Sequence, residues 1–171
     1  MIRETMTSET TMQSAQTMSQ PTTTSFAERI HAMNWERIGV LYARLALGTA
    51  FLSAVCGRFG LWHGSLDLNR FARFLHNDVA ETLAFMPKAT IPFFGCAATV
   101  CETSLGILLI LGLWPRWVAL ASATLLAIFG ASMAISLGLK EPMDYSVFSA
   151  SSAAVLLALY AFRHGGETKS R

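Results

Sequence analysis

The sequence predicts an all-α integral membrane protein: a four-helix up-down-up-down bundle with a short amphipathic outer helix and a disordered N-terminal tail. Three observations lead to this fold class. Hydrophobic residues make up 53% of the 171 residues and charged residues only 14%, against about 25% charged residues in an ordinary soluble domain. Four apolar runs each approach the roughly 20 residues that a helix needs to cross a bilayer. Short breaks separate the later runs, so neighbouring helices are expected to be antiparallel.

Residues 1–34 are rich in Ser, Thr and Gln, and they bury too little apolar surface to offset the entropy of ordering, so we expect a disordered tail. A membrane domain of residues 35–164 follows, and a polar C-terminal tail of residues 165–171 ends the chain. A backbone in lipid must satisfy its own hydrogen bonds, and each span is therefore predicted to be helical. The four predicted spans are 38–57, 91–114, 117–139 and 145–162.

The longest connection, 58–90, is predicted to contain an amphipathic helix at about 66–86 that lies at the outer interface. Its apolar positions recur at helical spacing: Leu68, Phe71, Leu75, Val79, Leu83 and Met86. The other two connections are short, with Pro115 and Arg116 in one and Lys140, Glu141 and Pro142 in the other. The outer helix is expected to pack on the end of the bundle or to cover an opening between its helices.

Charge sets the orientation and excludes some partners. The net charge is only +2 and forms no basic patch, so the chain is not predicted to bind nucleic acid. Basic residues favour an N-in, C-in topology in a bacterial-type inner membrane. More of them lie on the side of the membrane that holds the N-terminus than on the opposite side. The N-terminal side holds Arg3, Arg29, Arg37, Arg116, Arg163, Lys169 and Arg171, and the other side holds Arg58, Arg70, Arg73, Lys88 and Lys140. The lipid bilayer is thus an expected partner of this chain.

Two charged residues fall inside predicted spans, Arg44 in the first and Glu102 in the second. At about 1.5 Å per residue they lie roughly 10 Å and 17 Å from the same membrane face. An unpaired charge at this depth costs at least about 2.5–3.5 kcal/mol, so Arg44 and Glu102 are predicted to face the interior and pair. Such a pair either fixes how the helices meet or lines a pocket for a polar or quinone-like head group.

A second polar cluster is predicted at the outer ends of the spans, formed by Arg58, Glu141 and Asp144. Asp144 precedes the fourth span and is expected to cap its N-terminus, with Arg58 as its partner across the bundle. The three cysteines, Cys56, Cys96 and Cys101, form no metal-binding or redox spacing. They are interpreted as small apolar packing residues.

The sequence contains no catalytic triad, no phosphate-binding loop, no dinucleotide fingerprint and no metal-ligand spacing. No catalytic residue and no cofactor of the chain's own is visible. None of the four histidines lies within a predicted span, which argues against a haem held by two histidines.

The spans carry short motifs that together resemble the DoxX family of membrane proteins over residues 38–162. These motifs are Arg44-x-x-x-Gly48, Gly57-Arg58-Phe59-Gly60, Glu102-x-x-x-Gly106, Leu111-Gly112-Leu113-Trp114-Pro115-Arg116 and Pro142-Met143-Asp144-Tyr145-Ser146-Val147-Phe148. The resemblance implies a small four-helix protein of the bacterial inner membrane. It also implies that Arg44 and Glu102 are the family's intramembrane polar residues, whereas no catalytic residue carries over.

The family includes the large subunit of a thiosulfate:quinone oxidoreductase and members associated with oxidative-stress or thiol-handling complexes. The resemblance therefore implies an accessory or quinone-interacting subunit of a membrane redox system, with a quinone as possible cofactor and a possible redox partner subunit. Whether the chain is itself an enzyme is left open. A non-catalytic membrane anchor or assembly protein is the alternative, and an oligomeric small-molecule transporter is a third. A homo-oligomer is compatible with each of the three.

Overall fold

The computed structural model describes the backbone of residues 26–164 and the side chains of residues 35–164 except that of His63. Within residues 26–164 the secondary structure is helical, without a β-strand. Four helices are long and apolar enough to cross a membrane, which confirms the predicted fold class. The chain divides into two compact units, Met1–Arg37 and Ile38–Arg171, and the helix contacts described below lie within the second.

The spans lie close to their predicted positions. Span 1 is Trp35–Arg58, span 2 is Lys88–Leu111, span 3 is Pro115–Ser136 and span 4 is Val147–His164. Span 1 belongs to a longer helix, Phe26–Arg58, which therefore begins inside the predicted tail. Residues 26–34 contain no glycine or proline that would stop a helix. The predicted disorder of residues 1–25 and the predicted tail of residues 165–171 lie outside the described residues.

Contacts between the helices show that neighbouring spans are antiparallel, as predicted. Span 1 meets span 2 through Arg44 with Leu109 and through Arg58 with Thr99. Span 3 meets span 4 through Trp117 with Phe162 and through Ala123, whose carbonyl oxygen accepts a 3.1 Å hydrogen bond from the hydroxyl of Ser151. We call the end of the bundle that holds the turn between spans 2 and 3 the Arg44 end, and the opposite end the Arg58 end.

Spans 3 and 4 pack closely because small residues line their contact. Ala154 and Ser122 are fully buried, and Ala119, Ala123 and Ala158 are nearly so. A Cβ atom on Gly130 would lie 2.8 Å from the Phe148 ring, so the aromatic ring occupies the space that the glycine leaves open. Without a hydrophobic driving force in lipid, this close approach of the backbones provides the van der Waals contact that holds helices together.

Spans 1 and 2 cross at a pair of glycines. A Cβ atom on Gly48 would lie 2.9 Å from the carbonyl oxygen of Gly106, and one on Gly106 would lie 3.1 Å from that of Gly48. Each glycine therefore admits the backbone of the other helix. This reciprocal contact fixes the register of span 1 against span 2.

The turn between spans 2 and 3 is tight, as predicted. Gly112 ends span 2 in the left-handed conformation (φ 74°), and the carbonyl oxygen of Leu108 accepts hydrogen bonds from the amides of both Gly112 (2.8 Å) and Leu113 (3.2 Å). Trp114 is also left-handed, with φ 42°, which is uncommon for a residue with a large side chain. Pro115 then opens span 3 at a position that needs no amide proton.

The predicted amphipathic helix is present and covers the Arg58 end. It comprises the α-helix Leu68–Phe74, a π-helical turn Leu75–Val79 and the α-helix Ala80–Thr82, and we call it the loop helix. Asp67 caps it by accepting hydrogen bonds from the amides of Asn69 and Arg70. Its π-helical turn packs on span 2, where a Cβ atom on Gly95 would lie 2.4 Å from a methyl carbon of Leu75.

The glycine crossing leads to the first prediction. Gly48→Ala should lower the free energy of unfolding by about 1–3 kcal/mol, because the new methyl group meets the carbonyl oxygen of Gly106. Gly39→Ala in the same span is the matched control, since nothing lies within 4 Å of its Cβ position, and it should leave stability unchanged or slightly raised. Thermal unfolding in mild detergent measures both. Equal Tm shifts for the two variants would contradict the crossing.

Candidate functional site

Glu102, near the middle of span 2, forms a buried ion pair with Arg58. The Arg58 Nη2 atom donates a 2.8 Å hydrogen bond to Oε1 of the carboxylate, and Nη1 lies 2.5 Å from Oε2. The side chains of Arg58 and Glu102 are only 14% and 3% exposed. This two-atom contact pairs a guanidinium with a carboxylate where both side chains are largely buried.

Thr99 and Phe74 complete the surroundings of Arg58. Nη1 donates a 3.1 Å hydrogen bond to the Thr99 hydroxyl, which itself donates to the carbonyl oxygen of Gly95 at 2.8 Å. The guanidinium carbon lies 4.5 Å from the centre of the Phe74 ring, within the range of a cation–π interaction. Phe74 belongs to the loop helix, and its ring stacks with that of Phe71. The Phe71 ring stacks in turn on that of Phe59, with ring centres 4.6 Å apart. The loop helix is thereby attached to the ion pair.

Arg44 has a different role at the other end of the bundle. Its Nε atom donates a 3.1 Å hydrogen bond to the carbonyl oxygen of Leu109, and Nη2 donates a 3.4 Å bond to that of Ile110. These carbonyl groups belong to the last turn of span 2, which has no further helical amides to bond. A cation is also favourable at the negative end of a helix dipole. Arg44 therefore caps span 2.

The predicted pair of Arg44 with Glu102 is wrong, and the register of the two helices explains why. With Gly48 opposite Gly106, Glu102 lies level with Leu52, about 9 Å from the level of Arg58 and about 12 Å from that of Arg44. Helical side chains also lean toward the N-terminus of their own helix. Because the spans are antiparallel, Arg44 leans away from Glu102, whereas Arg58 and Glu102 lean toward each other.

The predicted outer cluster is also corrected. Arg58 bonds Glu102 and Thr99, and Asp144 forms its ion pair with Lys140, four residues earlier. Asp144 does not cap span 4, because it ends a short helix, Lys140–Asp144, and span 4 begins only at Val147. Glu141 lies in the first turn of that short helix. The three residues therefore form no joint site.

A partly open cavity of about 490 Å³ lies at the Arg44 end, lined by residues of all four spans. Its walls are mostly apolar, and its polar side chains include Arg44, Arg116, Tyr160 and His164. The rings of Tyr160 and His164 stack with centres 4.2 Å apart, and Nδ1 of His164 lies 3.1 Å from the carbonyl oxygen of Tyr160. The cavity thus combines apolar walls with the guanidinium groups of two arginines and a pair of stacked aromatic rings.

Sequence reasoning missed this cavity. His164 lies outside the predicted spans, but it is the last residue of span 4. Its spacing of four residues from Tyr160 puts both rings on one helix face, and that spacing was the available signal. The described residues contain no group of three or more His, Cys, Asp or Glu side chains that could hold a metal ion. Cys56, Cys96 and Cys101 are free thiols.

The ion pair generates the second prediction. Arg58→Leu and Glu102→Leu should each lower the free energy of unfolding by about 3–5 kcal/mol, because each leaves a buried charge without its partner. The double variant should lose much less than the sum of the two. As a control, Asp144→Asn removes the exposed ion pair with Lys140 and should cost under about 1 kcal/mol. Chemical unfolding in mild detergent measures the cycle, and additive losses would contradict the pairing.

Comparison with known proteins identifies the family. No curated protein matches the chain, and no solved structure matches it. The family model named DoxX matches residues 39–134, more than half of the 171 residues. The matched stretch contains the glycine crossing, the Arg58–Glu102 ion pair and the Arg44 cap. The four spans and this match together show that the chain is an integral membrane protein of the DoxX family.

Proposed function

We propose that this DoxX protein is a quinone-interacting subunit of a membrane redox system, and that the quinone head group binds in the cavity at the Arg44 end. The cavity itself is the observation that supports the proposal. Its volume of about 490 Å³ falls within the range of about 300–1,000 Å³ typical of small-molecule sites. It is mostly apolar, with few polar groups, as such sites usually are.

The residues of the cavity suit a quinone. The guanidinium group of Arg44 lies in the cavity wall and carries five N–H donors, so it has donors beyond those that bond Leu109 and Ile110. A quinone carbonyl oxygen would accept from such a donor. The quinone ring would pack on the aromatic side chains of Trp117 and Tyr160, which line the same cavity. Neither Glu102 nor Arg58 lines this cavity, and their ion pair takes no part in the proposed site.

A bound quinone would supply electron transfer between the membrane and a second redox group. The sequence carries no dinucleotide fingerprint, and the proposal therefore includes a partner subunit that exchanges electrons with the quinone. The N-in, C-in orientation favoured by the basic residues would place the Arg44 end on the cytoplasmic side of a bacterial inner membrane. The partner would then approach from that side.

The third prediction tests the cavity with a variant that fills it. Ala161 lines the cavity and is only partly buried, so Ala161→Phe should fold and should weaken the binding of a short-chain quinone at least about tenfold, or 1.4 kcal/mol. Ser152→Phe is the matched control, because Ser152 is exposed on the same helix and does not line the cavity. Quinone titration of the purified protein in nanodiscs, followed by quenching of tryptophan fluorescence and by calorimetry, measures both affinities.

The result expected is saturable quinone binding by the natural protein and by Ser152→Phe, with a clear loss in Ala161→Phe. No saturable binding by the natural protein would overturn the proposed function. Equal affinity in all three proteins would show that the quinone binds elsewhere. The thermal stability of each variant in nanodiscs should be recorded beside its affinity, so that a loss of binding is separated from unfolding.

A further inference from the structure

Beside the cavity lies an open apolar groove of about 440 Å³. It runs between span 2 and the beginning of span 3. Its walls are Leu105, Trp114, Trp117, Val118 and Ala121. None of these side chains carries a charge, so the groove offers apolar side chains and two indole rings. Trp117 and Ala121 are exposed on the outside of the bundle, where a membrane-embedded protein meets acyl chains.

The groove and the cavity adjoin each other. Trp114, Trp117 and Val118 line both of them, so these three side chains form the partition between an apolar groove and a cavity that holds Arg44. Ala121 lies four residues after Trp117, on the same stripe of span 3. Its small side chain leaves the groove open along the helix. The two spaces together suit an amphiphilic ligand, because the cavity contains charged side chains and the groove does not.

We propose that this groove binds the hydrocarbon tail of the ligand whose head group occupies the Arg44 cavity. The ligand is therefore a long-chain, membrane-soluble quinone that enters sideways from the bilayer between spans 2 and 3. The identity of the head group rests on the proposed function, whereas the position of the tail rests on the groove alone. The two spaces share three wall residues, and this adjacency favours the tail of the bound ligand over an unrelated lipid chain.

The partition residues are held in place by the fold. Trp117 packs edge-on against Phe162 of span 4, with ring centres 5.9 Å apart. Trp114 lies in the turn, with a left-handed backbone (φ 42°), and such uncommon backbone conformations often occur where a structure positions a ligand. Indole rings at the end of a span also prefer the level of the lipid head groups. A ligand that crosses the partition would thus have its polar end at this level.

The experiment compares two quinones that share one head group, a tailless naphthoquinone and its analogue with a four-unit isoprenoid tail. In nanodiscs the tail should raise affinity for the natural protein at least tenfold. Ala121→Phe fills the groove and should abolish most of this gain while leaving the tailless quinone bound as before. Ala127→Phe is the control, because Ala127 is exposed on the same helix but lines neither space, and it should keep the gain.

A second measurement covers the case in which Ala121→Phe does not fold or no quinone binds. Two photoreactive amphiphiles, with the same tail diazirine but a quinone or a phosphate head, are crosslinked to the natural protein in nanodiscs. Labelling at Leu105, Trp117 and Ala121 by the quinone probe supports both proposals. Labelling there by the phosphate probe alone supports the groove and overturns the quinone. If both probes label the spans only outside these residues, the groove does not bind the tail. The same conclusion follows if folded Ala121→Phe keeps the full gain in affinity from the isoprenoid tail.

Discussion

The glycine crossing of spans 1 and 2 is the constraint on which the other features of the bundle depend. Gly48 and Gly106 admit each other's backbones, and this contact determines which residues of the two helices lie at the same level. Arg44 is thereby level with the last turn of span 2, and Glu102 is within reach of Arg58. Both arginines find partners on span 2, and a shift of one helical turn, about 5.4 Å, would separate both from those partners.

Arg44 and Arg58 of span 1 show two ways of satisfying a cation in a bilayer. Arg58 meets a full negative charge, and its ion pair is enclosed by Thr99 and Phe74. Arg44 meets only the partial charges of two carbonyl groups at the end of a helix. The first arrangement is closed and leaves little of either side chain exposed. The second remains beside an open cavity, which is why the proposed ligand site lies there.

The sequence was sufficient for the spans and the loop helix, because both depend on local patterns. Apolar length marked the four spans, and helical spacing marked a helix at about 66–86, which the structure places at Leu68–Thr82. Lys140 and Asp144 are four residues apart, so their pairing was also accessible. The partner of Glu102 was not accessible from the sequence, because it depends on the register of two helices that residues 59–87 separate. The cavity depends on all four spans at once, and no local pattern reports it.

The missing Cβ atom of Gly112 links the turn between spans 2 and 3 to the size of the cavity. A Cβ atom on Gly112 would lie 2.0 Å from Nη2 of Arg44, so the guanidinium group occupies the place of the missing side chain. Any other residue there would displace this group, and both residues border the same cavity. Gly112 thus ends span 2 and also leaves room for the Arg44 guanidinium. A single added methyl group would strain the turn and change the shape of the cavity.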